Sequence, residues 1–148
     1  MLKFLTRVSF LLMLCMGAAQ AKLPFRMDDY IFWASCQYVQ ETYYEELKCE
    51  GLVSPTVVPT RWMDRGWTST YRVMGMYIED EDVIYVYYNK NADIPMSYNT
   101  LIHEAVHYML WHGGIRDDKC AEEGVAREVA GQPWGKEEKA MYNCDQSS

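Results

Sequence analysis

The sequence predicts an α+β fold in one domain: a small antiparallel or mixed sheet packed on two helices and stapled by two disulfides. Three observations carry that expectation. Residues 97–112 offer Ser97 and Asn99 as caps and continue with Leu101, Ile102, Ala105, Val106, Met109 and Leu110, apolar on nearly every side, as a buried helix requires. Residues 83–88, Val-Ile-Tyr-Val-Tyr-Tyr, are β-branched and aromatic throughout, the composition of a well-buried strand. Four cysteines, Cys36, Cys49, Cys120 and Cys144, remain once the leader that holds Cys15 is set aside.

That leader spans residues 1–21. Lys3 and Arg7 precede an apolar run over 8–16, and Gly17-Ala18-Ala19-Gln20-Ala21 ends in an A-x-A site, so a secretory signal peptide cut after Ala21 is expected. The run is short for a membrane span, and Leu12-Met13-Leu14 before Cys15 is a poor lipobox; no stable membrane association is expected after cleavage. A single domain over 22–148 follows, in a secreted or periplasmic setting. An even cysteine count there reads as two disulfides, of which three pairings are possible; locality favours Cys36–Cys49 and Cys120–Cys144. No C-x-x-C pair supports a cysteine metal site. Taking Lys3 and Arg7 from the 14 basic residues leaves 12 against 21 acidic ones, so the net charge of −7 becomes −9. A surface of that sign repels phosphate backbones and anionic lipid, which excludes nucleic-acid and membrane-surface roles. Nothing in the sequence fixes an oligomeric state.

Residues 27–40 place Tyr30, Ile31, Ala34 and Tyr38, with Tyr44 beyond, near helical spacing behind the acidic Asp28-Asp29, so a helix is expected there, closed by Cys49 and Gly51. Pro55 and Pro59 around Val57-Val58 make 53–60 a loop or sheet-edge segment. Residues 68–73 and 75–79 alternate as strands, Asp80-Glu81-Asp82 turns tightly into 83–88, and 89–95 is a loop. Gly113-Gly114 stops the apolar helix. A second helix is expected over 120–130, stopped by Gly131 and Pro133, and a short third over 136–142 brings Cys144 back.

The apolar helix contains His103-Glu104-Ala105-Val106-His107, an HExxH pattern. Residues four apart lie one turn above each other, so His103 and His107 can converge on one metal ion, while Glu104, turned about 100° around the axis, can act as a base without ligating. A catalytic zinc ion needs a third protein ligand. His112 lies about 140° around the helix from His107 and does not join the pair. The metzincin extension HExxHxxGxxH needs glycine at 110 and histidine at 113, where this chain has Leu110 and Gly113. A carboxylate from a second helix is the alternative.

Residues Leu101-Ile102-His103-Glu104-Ala105-Val106-His107-Tyr108 and Glu122-Glu123-Gly124-Val125-Ala126 resemble the gluzincins, the zinc peptidases that include thermolysin-like and aminopeptidase-like enzymes. The resemblance covers about residues 71–130. It implies a zincin-like fold, one Zn2+ ion, and an N/E-E-G-x-A motif whose glutamate before the glycine, Glu123, is the third ligand, with Glu122 as the substitute. It also implies an antiparallel edge strand above the cleft, for which 83–88 is the candidate, and a peptide or protein substrate hydrolysed by a zinc-activated water with Glu104 as general base. This chain departs from the family in two ways. Only 15 residues separate His107 from Glu123, and Arg127 stands where thermolysin-like relatives place an acidic residue that orients a ligand histidine, so Glu128 or Glu122 is expected to take that task. Tyr142, Tyr108, Tyr98 and His112 are the available oxyanion donors. The alternative functions are a non-catalytic zinc- or peptide-binding module, such as an inhibitor or immunity-type partner, and a disulfide-stapled structural protein with a chance motif.

Overall fold

Asp28 starts the first helix, α1 (Asp29–Thr42), its Oδ1 accepting the Ile31 N–H at 3.0 Å. A computed structural model describes residues 23–60, 74–87 and 97–144; the leader, the strand expected over 68–73 and the loop over 89–95 lie outside the described residues. The buried face of α1 is Phe32, Cys36 and Val39, at spacings of four and three. Tyr30, placed on the helical face by the sequence reading, is 82% exposed. Aromatic residues occur in both phases of this helix, and the disulfide from Cys36 to Cys49 fixes which phase is inside.

The sheet is mixed, as one of the two expected forms. Strands β1 (Phe25–Arg26), β2 (Thr56–Thr60), β3 (Gly75–Ile78) and β4 (Val83–Tyr87) lie in the spatial order β1-β2-β4-β3. The pairing of β2 with β4 is parallel, and the other two pairings are antiparallel. Two expectations change here. Residues 53–55 are irregular, in line with the loop expected, but 56–60 form β2, which has neighbours on both sides at Thr56 and Val57. Its proline is tolerated because β1 covers only Thr56 and Val57, so Pro59 lies where β4 alone flanks the strand among the described residues. Nor is 83–88 the edge strand. Over the described part of it, β4 is paired by β2 on one side and β3 on the other, which spends its backbone groups, and among the described residues β3 holds the edge. Ile84 and Val86 point into the core while Val83, Tyr85 and Tyr87 are half-buried.

The helix over 98–112 packs on this sheet, and the helix that follows it packs on that helix. Ser97 caps α2 (Tyr98–His112), and Gly113 with the left-handed Gly114 ends it as expected. Leu101, Ala105, Val106, Met109 and Leu110 are buried between the sheet, α1 and the next helix. Asp118 Oδ1 accepts the N–H groups of Cys120 and Ala121 to start α3 (Lys119–Val129), which ends before the left-handed Gly131. The last helix is α4 (Lys136–Met141). Tyr108 joins three elements: it meets Phe32 of α1 and Tyr77 of β3 edge-on, and its hydroxyl donates to the Val53 carbonyl at 2.8 Å. No helix among the described residues is long and apolar enough to cross a membrane.

Both disulfides pair as locality favours, Cys36–Cys49 and Cys120–Cys144. They close separations of 13 and 24 residues, and loop-closure entropy assigns each about 3 kcal/mol. Replacing both Cys36 and Cys49 by alanine is expected to lower the unfolding free energy by about that amount, read from urea denaturation followed by tryptophan fluorescence. An unchanged midpoint would contradict it.

Candidate metal centre

His103 and His107 project from one face of α2, one turn apart, and Glu123 reaches them from the second turn of α3. The two Nε2 atoms are 3.3 Å apart. His103 Nε2 lies 3.4 Å from Glu123 Oε1, and His107 Nε2 lies 3.2 Å from Glu123 Oε2. These three groups could hold a metal ion, each offering one ligand atom, all within 4.8 Å of one another; His103 and Glu123 are buried and His107 is half-buried. Glu122 is not among them. It faces the helix start, where its Oε1 accepts the Asp117 N–H at 3.0 Å.

The groups that orient the cluster differ from those expected. Neither Glu128 nor Glu122 reaches a histidine of the cluster. His103 Nδ1 instead meets Gln132 Oε1 at 2.7 Å, which fixes Nδ1 as the protonated nitrogen and turns the Nε2 lone pair toward the cluster. Arg127 Nε donates to Glu123 Oε1 at 3.0 Å, one helical turn away. The rest of its guanidinium donates to the Pro133 carbonyl at 3.0 Å and the Tyr142 hydroxyl at 3.3 Å. Gln132 has a weak sequence signal, a polar residue set between the helix-stopping Gly131 and Pro133. Arg127 stood out only as a break from the family pattern.

Glu104 is buried beside the cluster but belongs to another network. Its Oε2 accepts the backbone N–H of Tyr77, on β3, at 3.0 Å. Burial pushes its carboxyl up, and the charges of His103 and His107 with the Tyr77 hydrogen bond only partly reverse this. Burial also pushes Glu123 up, but its hydrogen bonds with His103 and His107 outweigh that and hold it far below the usual carboxylate range. Burial depresses His103, yet the hydrogen bond to Glu123 and the charges of Glu104 and Glu123 leave it raised.

A cavity of about 630 Å³ borders the cluster at His103, with Met74, Gly75, Thr100, Glu104, Arg127, Gln132 and Tyr142 also in its lining; His107 and Glu123 do not line it. Of the four expected oxyanion donors only Tyr142 lines it. Burial raises its phenol even against the Arg127 hydrogen bond, so the O–H keeps its proton. Tyr108 is spent on Val53, and Tyr98 is exposed at the helix start. His112 is held at 2.6 Å by Asp82, beside the Tyr77 hydroxyl, away from the pair it was expected not to join.

Comparisons with protein-family models, with curated proteins and with solved structures return no match.

A carboxyl raised by folding stabilises the native state below its unfolded value, about 4.3, and loses that contribution as pH climbs through the raised value. In chelator-stripped protein, Glu104→Gln is therefore expected to match wild type at about pH 3.5 and to exceed it in thermal midpoint at about pH 8. A difference that does not change with pH would contradict this.

Proposed function

We propose that the chain is an exported zinc peptidase that hydrolyses peptide bonds on a gluzincin-like, zincin-type scaffold, with His103, His107 and Glu123 as ligands and Glu104 as general base. The observation that supports this most is the convergence of the three groups: the two Nε2 atoms are 3.3 Å apart, and each lies 3.2–3.4 Å from a different oxygen of Glu123. Ligands of a tetrahedral zinc ion with bonds of about 2.0–2.1 Å stand roughly 3.3–3.4 Å from one another, and a two-histidine, one-carboxylate set leaves a fourth position open. The two disulfides support an oxidising compartment, and with it export.

A zinc ion held there supplies Lewis acidity to a scissile carbonyl and to a water. Glu104 accepts the proton that the attacking water loses and later gives it to the leaving amine nitrogen. Tyr142 lines the cavity with its oxygen accepting from Arg127, and its hydroxyl, which also meets the Glu123 carboxylate, would turn from it to face negative charge on the carbonyl oxygen. The peptide lies along the edge of β3, which borders the cavity through Met74 and Gly75, in place of the 83–88 strand.

The test combines metal analysis with cleavage of a peptide library by wild type and Glu104→Gln. One zinc per chain in both, with cleavage by wild type and a loss of 100-fold or more, of the order general-base removal costs, is the expected result. Zinc without cleavage in wild type would replace the enzyme by a zinc-binding module. No retained metal would leave a structural protein with a chance motif.

A further inference from the structure

Glu104 can bond the edge of the sheet only because the strand has no side chain at one position. In the β3–β4 pairing, Gly75 stands opposite Val86 and Tyr77 opposite Ile84, and the Tyr87 N–H donates to the Met74 carbonyl at 2.8 Å. Met74, Met76 and Ile78 thus turn their backbone groups toward β4, and Gly75 and Tyr77 turn theirs to the outer edge. The outward N–H of Tyr77 is the one Glu104 Oε2 takes, at 3.0 Å. To reach it, the Glu104 side chain runs along the strand beneath Gly75. A Cβ at Gly75 would stand 2.9 Å from Glu104 Cγ, 3.2 Å from Glu104 Oε1 and 2.6 Å from Thr100 Cγ2. The first and last are closer than real Cβ contacts, and one of the atoms met belongs to the base itself.

We propose that Gly75 is the positioning residue of Glu104: the missing side chain lets the carboxylate pass under β3 and dock on the Tyr77 N–H, which fixes the base beside the cluster. The catalytic half of this inference rests on the peptidase reading; the docking half does not. With the Tyr77 N–H occupied by the base, the N–H and carbonyl of Gly75 and the carbonyl of Tyr77 face the outer edge, where no strand among the described residues pairs with them and an extended peptide would add.

Gly75→Ala, Gly75→Ala/Thr100→Ser and Glu104→Ala are compared with wild type by hydrogen exchange of the Tyr77 amide, by zinc affinity and by steady-state cleavage. Serine lacks the Cγ2 that stands nearest to a new Cβ, so the double variant keeps the encounter with Glu104 and relieves the one with Thr100. In both Gly75 variants the Tyr77 amide is expected to exchange about tenfold faster or more, as in Glu104→Ala, the loss that a hydrogen bond to a charged group implies. Zinc affinity should change by less than the roughly tenfold that losing a ligand-orienting partner costs. The kcat should fall about 100-fold with KM little changed, the signature of a displaced base.

Wild-type protection of Tyr77 in Gly75→Ala overturns the proposal, and so does full rescue by Thr100→Ser, which would assign the effect to Thr100 packing. Loss of zinc together with protection also overturns it, because the glycine would then serve the ligands. If even the double variant does not fold, the glycine serves the strand and not the base, and the proposal is wrong. Should wild type cleave nothing, the peptidase reading fails by itself, and the exchange of the Tyr77 amide still decides the role of Gly75.

Discussion

Two imidazole nitrogens and a carboxylate meet within 3.2–3.4 Å of each other in a largely buried volume, and electron-rich atoms that close repel unless a cation lies among them. Against the pull of burial, the hydrogen bonding between them holds Glu123 below and His103 above their ordinary values. Much of the chain is disposed so that this crowding cannot relax. Gln132 holds the far nitrogen of His103, and Arg127 holds an oxygen of Glu123. Cys120, three residues before Glu123, is tied to Cys144, two residues after Tyr142, so one bond fixes both the ligand helix and the wall of the cavity facing it. The apolar sides of α2 that carry Leu101, Val106, Met109 and Leu110 anchor the helix against the sheet and α1.

Around that cluster the charges are arranged locally and owe little to the acidic surface. Arg127 donates to the carboxylate of Glu123 and also steadies Tyr142, its guanidinium standing over the Trp134 and Tyr142 rings at 5.6 and 5.3 Å. An acidic residue at this position would repel Glu123 one turn away on the same helix face. Gln132 meets the far nitrogen of His103 without adding negative charge to the cluster, and the Arg127 cation sits one turn from the Glu123 carboxylate.

What could be read from the sequence was whatever is local. His103, Glu104 and His107 follow from helical spacing, whereas Glu123 came from the resemblance to the gluzincin motif; both helices and their caps at Ser97, Gly113 and Gly131 emerge close to where they were expected. The disulfide pairing follows from short separations. The order of strands was not legible. Whether β2 lies parallel to β4 depends on a contact between segments more than twenty residues apart, and alternation says only that each is a strand. Pro59 concealed β2 because a missing N–H argues against a central strand unless the neighbouring strand has already ended, as β1 has. The buried phase of α1 was obscured by its tyrosines, and Gly75 gave no signal because its meaning depends on Glu104 arriving from another element.

X-ray absorption at the zinc edge, on protein reconstituted with one equivalent of zinc, tests the convergence of His103, His107 and Glu123 most directly. Two imidazole nitrogens and one carboxylate oxygen at about 2.0–2.1 Å, with imidazole scattering lost in part in His107→Ala, are expected. Sulfur in the first shell, or a spectrum of hydrated zinc that His107→Ala leaves unchanged, would contradict it.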